Sequence, residues 1–204
     1  MFIKGEPEAR RLWRRFREIS IEEFKRLYSY LGVSFDSYDG ESFYESRLPE
    51  LVERLRRTGI LVESQGAWII SLDAYNLPPA LILKKDEATL YLTRDIAAAE
   101  YRFQTWHFAR LLYVVGVPQK LHFQQLFATA RQMGYDEKAL ELVHVSFGTV
   151  LGDDGRPFKT RAGDTVGLEG LLDEAVRRAA SVVAENDDGL AAAQFGVRIG
   201  EFRF

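Results

Sequence analysis

Residues 110–116 read RLLYVVG, a short apolar run that contains two adjacent valines. Such a run is typical of a strand that is buried on both faces, as strands in parallel sheets usually are. Pro118 follows two residues later, where it is compatible with the start of a helix, and an amphipathic stretch continues to Gly134. This segment therefore predicts a buried strand that leads directly into a helix.

Strand and helix patterns also alternate on both sides of this segment. The predicted order is strands over 80–85 and 88–92, a helix over 94–108 capped by Thr93, the strand over 110–116, a helix over 119–133, a strand over 142–148 and a helix over 168–185. A glycine-rich loop precedes the last helix. The alternation predicts an α/β fold, namely a partial Rossmann-like domain with parallel strands and covering helices.

The amino-terminal third of the chain has a different pattern. It predicts helices over 7–19, 21–31 and 49–57, with Ser20 as the N-cap of the second, and a hairpin of strands over 59–63 and 67–71. We therefore divide the chain into a helical and β-hairpin insertion segment, residues 1–78, and a Rossmann-like part, residues 79–204.

Composition excludes several classes of protein. The 204 residues carry a net charge of −3 and include no cysteine and three histidines. Disulfides and a cysteine nucleophile are therefore excluded, and neither a multi-histidine metal site nor a general attraction to polyanions is expected. The first residues, MFIKGEPEARR, lack the apolar core of a signal peptide, and no run has membrane-spanning length. We expect a cytoplasmic protein without a membrane partner.

Polar side chains follow the predicted strand ends, where ligands of open α/β sheets bind. Tyr91 and Asp95 lie four residues apart at one strand-to-helix junction, and Gln119 lies beside Pro118 at the next. Their hydroxyl, carboxylate and amide oxygens suit a guanidinium group, which has five donors and no acceptor. The alternative for Asp95 is a stabilising interaction with the helix dipole, which is common for an acid in a first helical turn.

Other polar residues have ordinary structural interpretations. Glu41 follows a turn glycine and is expected at the surface unless the fold brings it to the cleft. His122 and His144 lie near predicted strand ends, although a single histidine more often has a structural role than a ligand contact. The arginines within residues 7–19 are expected to be solvated, with weak support for contacts to RNA phosphates. A Rossmann enzyme that binds nucleotides through either of the two common glycine-rich motifs is disfavoured, because neither G-x-G-x-x-G nor G-x-x-x-x-G-K-[ST] is present.

Three long stretches give the chain a family resemblance. TLYLTRDIAAAEYRF (89–103), LLYVVGVPQKLHFQQLFATARQMGY (111–135) and HVSFGTVLGDDGRPFKTRAGDTVGLEGLLDEAV (144–176) together resemble the second half of the arginyl-tRNA synthetase catalytic domain. The upstream EFKRLYSYLGVSFDSYDGESFY (23–44) resembles the preceding segment of that family. The resemblance covers nearly the whole chain, and residues 191–204 depart from the family pattern.

The resemblance implies a class I synthetase that activates arginine with ATP to arginyl-adenylate and transfers it to tRNA(Arg). It implies that the arginine site consists of Glu41, Tyr91, Asp95 and Gln119. It also implies that ATP contacts His122, Gln125, His144, Val145, Phe147 and Gly148. ATP is then a substrate that Mg²⁺ accompanies, and no tightly bound cofactor is expected.

The glycine-rich loop matches the family's Lys-Met-Ser-Lys-Ser position. Lys159, Thr160 and Arg161 stand there, which implies a catalytic role for all three, and Arg161 replaces the usual second lysine. Negative charge builds on the phosphates as pyrophosphate leaves, and cations that contact the phosphates in the transition state increase the rate. The surrounding glycines allow the loop to close.

One family motif is not found in the chain. The three histidines stand in WHFAR, LHFQQ and VHVSF, so His-x-Gly-His is absent. We therefore expect an internal piece of a longer synthetase, whose missing amino-terminal half would supply the other wall of the cleft. The alternative is a non-catalytic module that binds arginine, ATP or tRNA.

The chain alone is expected to be inactive, because it would hold the phosphates from one side only. The measurement is arginine-dependent exchange of labelled pyrophosphate into ATP by the purified 204-residue protein. The expected rate equals that of the Asp95→Ala variant. Exchange well above that of the variant would contradict the expectation.

Overall fold

The computed structural model describes residues 7–135, 141–148 and 167–186. Its described residues form two compact units, one of residues 7–38 and 167–186 and the other of residues 39–135 and 141–148. The helices are α1 (Pro7–Tyr30), α2 (Leu48–Arg57), α3 (Tyr91–Trp106), α4 (Lys120–Gln132) and α5 (Leu168–Asn186). The strands are β1 (Val62–Ser64), β2 (Ala67–Ile70), β3 (Ala80–Leu83), β4 (Arg110–Gly116) and β5 (Glu141–Phe147).

Strands β4 and β5 pair in parallel, and helix α4 connects them along the chain. Their register places Gly116 opposite Phe147, so the two strands end at the same edge. A parallel pair requires a crossover connection, which is commonly a helix. The predicted α/β fold with parallel strands and covering helices is confirmed.

Among the described residues, the hydrophobic core packs against one face of strand β4. Tyr113 and Val115 pack against the core, whereas the alternating Leu112 and Val114 are exposed. Burial of strand β4 on both faces, which the apolar run predicts, is therefore wrong for the part of the chain that the structure describes. The physical reason is that successive side chains of a strand point to opposite faces, and the helices of this unit cover one of them.

The predicted hairpin is confirmed, and it belongs to a three-stranded antiparallel sheet of order β1-β2-β3. Gln65 and Gly66 connect its first two strands with φ angles of 52° and 78°. Two successive positive φ angles are characteristic of the tight turn that matches the twist of a hairpin. Strands β2 and β3, which pair with each other, lie on either side of residue 78 in the sequence. The predicted division of the chain at residue 78 stays a prediction.

The strand predicted over residues 88–92 is wrong. Thr89 makes a single bridge to Leu83, and helix α3 begins at Tyr91. Thr93 is therefore not the cap but the third residue of the helix. Its buried Oγ1 donates to the Ile82 carbonyl oxygen at 2.6 Å and accepts from the Leu90 N–H at 3.3 Å. These bonds join the start of α3 to strand β3 and extend the helix toward the amino terminus.

The predicted break at Ser20 is also wrong, because α1 runs without interruption from Pro7 to Tyr30. The Ser20 hydroxyl donates to the Phe16 carbonyl oxygen at 2.9 Å. A serine inside a helix can bond to the carbonyl four residues earlier, so it does not have to start a new helix. The predicted end at Gly32 is confirmed, with Gly32 at a φ of 67°.

Within the first unit, a bidentate ion pair joins α1 to α5. Arg26 donates to the two carboxylate oxygens of Glu169 at 2.8 and 2.7 Å. The hydrogen bonds to Glu169, and after them the hydrogen bond to Glu23, hold the pKa of Arg26 above its usual value. In the described ranges no helix has both the length and the apolar character needed to cross a membrane.

The second unit has one hydrophobic core to which α2, β2, β3, α3 and α4 contribute. Its most deeply buried side chains are Leu51, Leu55, Ile70, Leu72, Ile82, Leu83, Thr93, Leu126 and Thr129. Buried residues occur in the first turns of both α3 and α4, namely Leu92, Thr93 and Phe123. The amino-terminal ends of these two helices are therefore held firmly by packing.

Replacement of Thr93 by valine is expected to destabilise this unit by about 1–3 kcal/mol, because the change keeps the shape but leaves the Leu90 N–H without its partner. Urea unfolding followed by circular dichroism measures the effect. Thr105→Val is the matched control, because Thr105 is exposed on the same helix. Equal midpoints for the two variants would contradict the role of the buried hydroxyl.

Candidate functional site

Asp95 and His122 form the central contact of the candidate site. Asp95 lies in the second turn of α3 and His122 in the first turn of α4. The His122 Nε2 atom is 2.6 Å from the Asp95 Oδ2 atom, and the side chains of His122 and Asp95 are 24% and 38% exposed, respectively. A short contact between two helix starts thus presents a half-buried carboxylate to solvent.

Tyr91 lies on the same face of α3 as Asp95, one turn earlier, because residues four apart in a helix are neighbours. It is the first residue of the helix, and it is 70% exposed. Its ring has little protein around it and is free to contact a ligand. The two residues that the sequence predicts as a pair therefore share one surface, although both lie in the helix rather than across a junction.

The segment that contains Glu41 packs beside α3. Phe43 and Tyr44 lie edge-on to the Tyr101 ring, with centroids 5.1 and 5.7 Å away. Arg94 of α3 pairs with Glu45 at 3.3 Å. Glu41 itself begins a short 3₁₀ turn and is exposed. The fold thus brings its segment to the helix that carries Asp95, while its ligand contact stays a prediction.

Gln119 is exposed at the end of a 3₁₀ turn, Val117–Gln119, which joins β4 to α4. It follows the carboxyl end of β4 and precedes His122 by three residues. The neighbouring strand ends at the same edge with Phe147. Gln119 and His122 therefore lie where a ligand of a parallel sheet is expected.

The side chains of Gln125 and His144 bind backbone carbonyls. The Gln125 Nε2 atom donates to the carbonyl oxygens of Pro78 and Pro79, each at 3.1 Å. The His144 Nε2 atom donates to the Val115 carbonyl oxygen at 2.8 Å, and its ring centroid is 4.5 Å from that of Phe123. These contacts support the structural interpretation of His144, while the predicted contacts of both side chains with ATP stay predictions.

The remaining predicted residues lie at or beyond the end of β5. Val145 and Phe147 are 42% and 55% exposed, and Gly148 is open on its Cβ side. Lys159, Thr160 and Arg161 lie outside the described residues. In the described ranges no three His, Asp or Glu side chains are grouped so that they could hold a metal ion.

Two of the cavities among the described residues lie near these elements, and the larger of the two is not where the predicted residues are. A cavity of about 290 Å³ at the α4–β5 side is lined by Lys120, Phe123 and His144 among others. A cavity of about 530 Å³ lies at the carboxyl ends of α3 and α4, where Glu100 and Tyr135 line it and none of the predicted residues does. Because ligands of open α/β sheets bind at the carboxyl ends of the strands, the cavity of about 290 Å³ is the better candidate, despite its smaller volume.

Tyr113 connects the electrostatics of the site to the core. Burial raises its pKa from the usual 10 to about 12, opposed by the Arg102 guanidinium and reinforced by the Asp95 carboxylate. Its ring packs against Phe123 of α4 at a centroid distance of 4.9 Å. Strand β4 thus carries a phenol whose pKa the Asp95 carboxylate also raises.

The contact between Asp95 and His122 is the feature that sequence reasoning missed. Both residues stand near the starts of consecutive helices that flank strand β4. That shared position was a signal that they face each other. The family resemblance instead implies that Asp95 contacts arginine and that His122 contacts ATP.

Comparisons with known proteins give a consistent result. A family model described as tRNA synthetases class I (R), catalytic domain, matches residues 2–195. An arginine–tRNA ligase from an Exiguobacterium species is 47% identical over 190 residues, which is 93% of this chain and 34% of that protein. One from Clostridium botulinum is 46% identical over 186 residues, which is 91% of this chain and 33% of that protein. The chain thus spans about a third of the length of the curated relatives it matches.

Solved structures show the same fold. The crystal structure of arginyl-tRNA synthetase from Plasmodium falciparum has a TM-score of 0.74 and 26% identity, and the match covers 89% of this chain and 30% of that chain. Thermus thermophilus arginyl-tRNA synthetase has a TM-score of 0.64 and 19% identity, and the match covers 91% of this chain and 40% of that chain. The second likeness concerns the fold alone.

The raised pKa of Tyr113 predicts that the chain loses stability in alkali. The contribution of the protonated Tyr113 phenol to the free energy of unfolding is fully present below pH 10. It is lost as the pH rises toward 12, because the unfolded state releases the phenol proton first. The loss is at most about 3 kcal/mol. The free energy of unfolding, measured by denaturant titration at several pH values, should fall less steeply in Tyr113→Phe. Tyr91→Phe removes an exposed phenol and should keep the wild-type slope; equal slopes in all three proteins would contradict the prediction.

Proposed function

Because the chain belongs to the catalytic-domain family of the class I tRNA synthetases (R), we propose that it forms the arginine-recognising part of an arginine–tRNA ligase. The proposed reaction joins arginine to tRNA(Arg) in two steps, through an arginyl-adenylate made from ATP. The observation that supports this proposal most directly is the half-exposed carboxylate of Asp95 at the helix starts beside the strand ends. We place the reaction in the cytoplasm, where protein synthesis uses charged tRNA.

Recognition of arginine requires acceptors for the five N–H donors of its guanidinium. In the proposed site Asp95 supplies the charged acceptor, and Tyr91 offers a hydroxyl and a ring on the same face of α3. Glu41 and Gln119 supply a further carboxylate and an amide oxygen from adjoining segments. Charge-assisted hydrogen bonds of this type are stronger than neutral ones, which favours arginine over uncharged amino acids.

ATP is the proposed second substrate, with Mg²⁺ on its phosphates. The exposed apolar side chains of Val145 and Phe147 and the open backbone at Gly148 suit the flat face of a base. Gln125 and His144 already bind backbone carbonyls, so their proposed role is to shape this surface. His122 belongs to the proposed ATP group by sequence, and its observed contact is with Asp95.

Lys159, Thr160 and Arg161 are the proposed catalytic group. A carboxylate oxygen of arginine attacks the α-phosphorus of ATP, the bond to the bridging oxygen of the β-phosphate breaks, and pyrophosphate leaves with the negative charge. Cationic and hydroxyl groups that contact those phosphates in the transition state lower the barrier. Transfer to tRNA(Arg) then consumes the adenylate.

Removal of the Asp95 carboxylate tests the proposal. The Asp95→Ala variant is expected to bind L-arginine about 10- to 150-fold more weakly than the wild-type chain, because it loses a hydrogen bond to a charged group. Isothermal titration calorimetry measures the affinity. L-Citrulline, which replaces the guanidinium by a neutral urea, should bind weakly to the wild type and equally weakly to the variant.

Glu53→Ala is the matched control, since it removes one exposed acidic charge from α2 of the same unit. It should retain wild-type affinity for L-arginine. If the wild type fails to bind arginine, or if it binds citrulline equally well, the proposed function is wrong. If Glu53→Ala weakens binding as much as Asp95→Ala, overall charge rather than Asp95 is responsible.

A further inference from the structure

We propose that His122 is a positioning residue that holds the carboxylate of Asp95 in the orientation that receives the guanidinium of arginine. This inference rests on the proposed function and assigns His122 to the arginine site rather than to the ATP site. The observation behind it is the 2.6 Å contact between the His122 Nε2 and Asp95 Oδ2 atoms.

The backbones that carry this contact are fixed by the core. Asp95 stands between the buried residues Thr93 and Ile96 on α3. His122 immediately precedes the buried Phe123 on α4, and its ring lies edge-on to that phenyl ring. Because both helix starts are anchored, the contact acts between two rigid elements. What it determines is the rotation of the Asp95 side chain itself.

An ionised carboxylate has about four acceptor positions, so one N–H bond leaves the others for a ligand. The Asp95 side chain is 38% exposed, and its exposed part is accessible to a guanidinium. Without His122 the carboxylate would rotate among several orientations before binding. Ordering such a side chain on binding reduces affinity by about 2- to 10-fold.

A histidine suits this task because its neutral imidazole donates a hydrogen bond without cancelling the carboxylate charge. A lysine or an arginine at the same place would neutralise Asp95 and compete with the substrate cation. The nearby arginines on α3 have other partners: Arg94 pairs with Glu45 at 3.3 Å, and the Arg102 guanidinium lies 5.8 Å from the centroid of the Tyr113 ring. In the described part of the chain, Asp95 thus keeps its charge available for a ligand.

The test measures arginine and ATP affinities of the same variants by calorimetry. His122→Ala is expected to weaken L-arginine binding by about 2- to 10-fold and to leave ATP binding within twofold of the wild type. His122→Gln is the rescue variant, because its amide N–H reaches about as far as the imidazole Nε2 atom. It is expected to restore most of the arginine affinity, and His122→Leu, which fills similar space without a donor, replaces the alanine variant if that variant does not fold.

His107→Asn is the matched control, because it removes an exposed histidine at the end of α3 and asparagine tolerates the φ of 45° found there. It should bind arginine and ATP as the wild type does. Unchanged arginine affinity in His122→Ala, a loss confined to ATP, or failure of His122→Gln to restore binding would each overturn the positioning role. Failure of the wild type to bind arginine is a different outcome, since it overturns the proposed function as well.

Nitrogen-15 NMR of the imidazole gives an independent readout. The wild-type spectrum is expected to show His122 protonated at Nε2 and hydrogen-bonded there, and Asp95→Asn is expected to shift that signal. A purely structural role of the ring against Phe123 would leave the Nε2 signal unchanged in the variant, and this result would also overturn the proposal.

Discussion

Parallel pairing of β4 with β5 is the constraint on which the candidate site depends. Parallel neighbours cannot be joined by a tight turn, so the chain must cross back through α4 before it starts β5. Helix α4 therefore begins at the carboxyl end of β4. Gln119 and His122 lie at this edge as a direct result, and they would be elsewhere if the strands were antiparallel.

The other half of the site depends on a buried hydroxyl. Thr93 bonds to the carbonyl oxygen of Ile82 in β3 and to the N–H of Leu90, which begins α3 earlier than its sequence suggests. This early start converts Tyr91 and Asp95 into neighbours on one helical face. The antiparallel sheet and the parallel pair thus cooperate, because the first fixes α3 and the second fixes α4.

Much of the fold could be predicted from local sequence patterns. The strand at residues 110–116, the hairpin and the starts and ends of most helices follow from apolar periodicity and from Gly or Pro signals. The predicted strand at 88–92 was wrong, because its alternating apolar residues are equally compatible with a first helical turn, and the decision came from the long-range bond of Thr93 to Ile82. Local patterns contain no information on such tertiary bonds.

The candidate site is predicted from the sequence as a set of residues, and this set stays a prediction, whereas the contacts among its members could not be predicted. Tyr91, Asp95 and Gln119 were identified because polar groups after strand ends commonly face ligands, whereas the ligand role of His122 was implied by the family resemblance alone. The pairing of Asp95 with His122 depends on the distance between two helix starts, which is determined by core packing around Phe123 and Ile96. The family motifs therefore assign Asp95 and His122 to different ligands, whereas the fold brings the two side chains into contact.

The positioning role proposed for His122 gives a physical reason why a partly exposed acid on a helix can be selective. A carboxylate that is free in water gains little from an ion pair, because solvent screening and side-chain entropy offset the attraction. Asp95 differs in two respects: its side chain is only partly exposed, and the His122 Nε2 atom on a neighbouring helix lies 2.6 Å from its Oδ2 atom. A carboxylate that is ordered in advance and still negative interacts more favourably with an incoming cation than either a mobile acid or one already paired with arginine. In the positioning role that we propose, His122 therefore orients the Asp95 carboxylate rather than neutralising it.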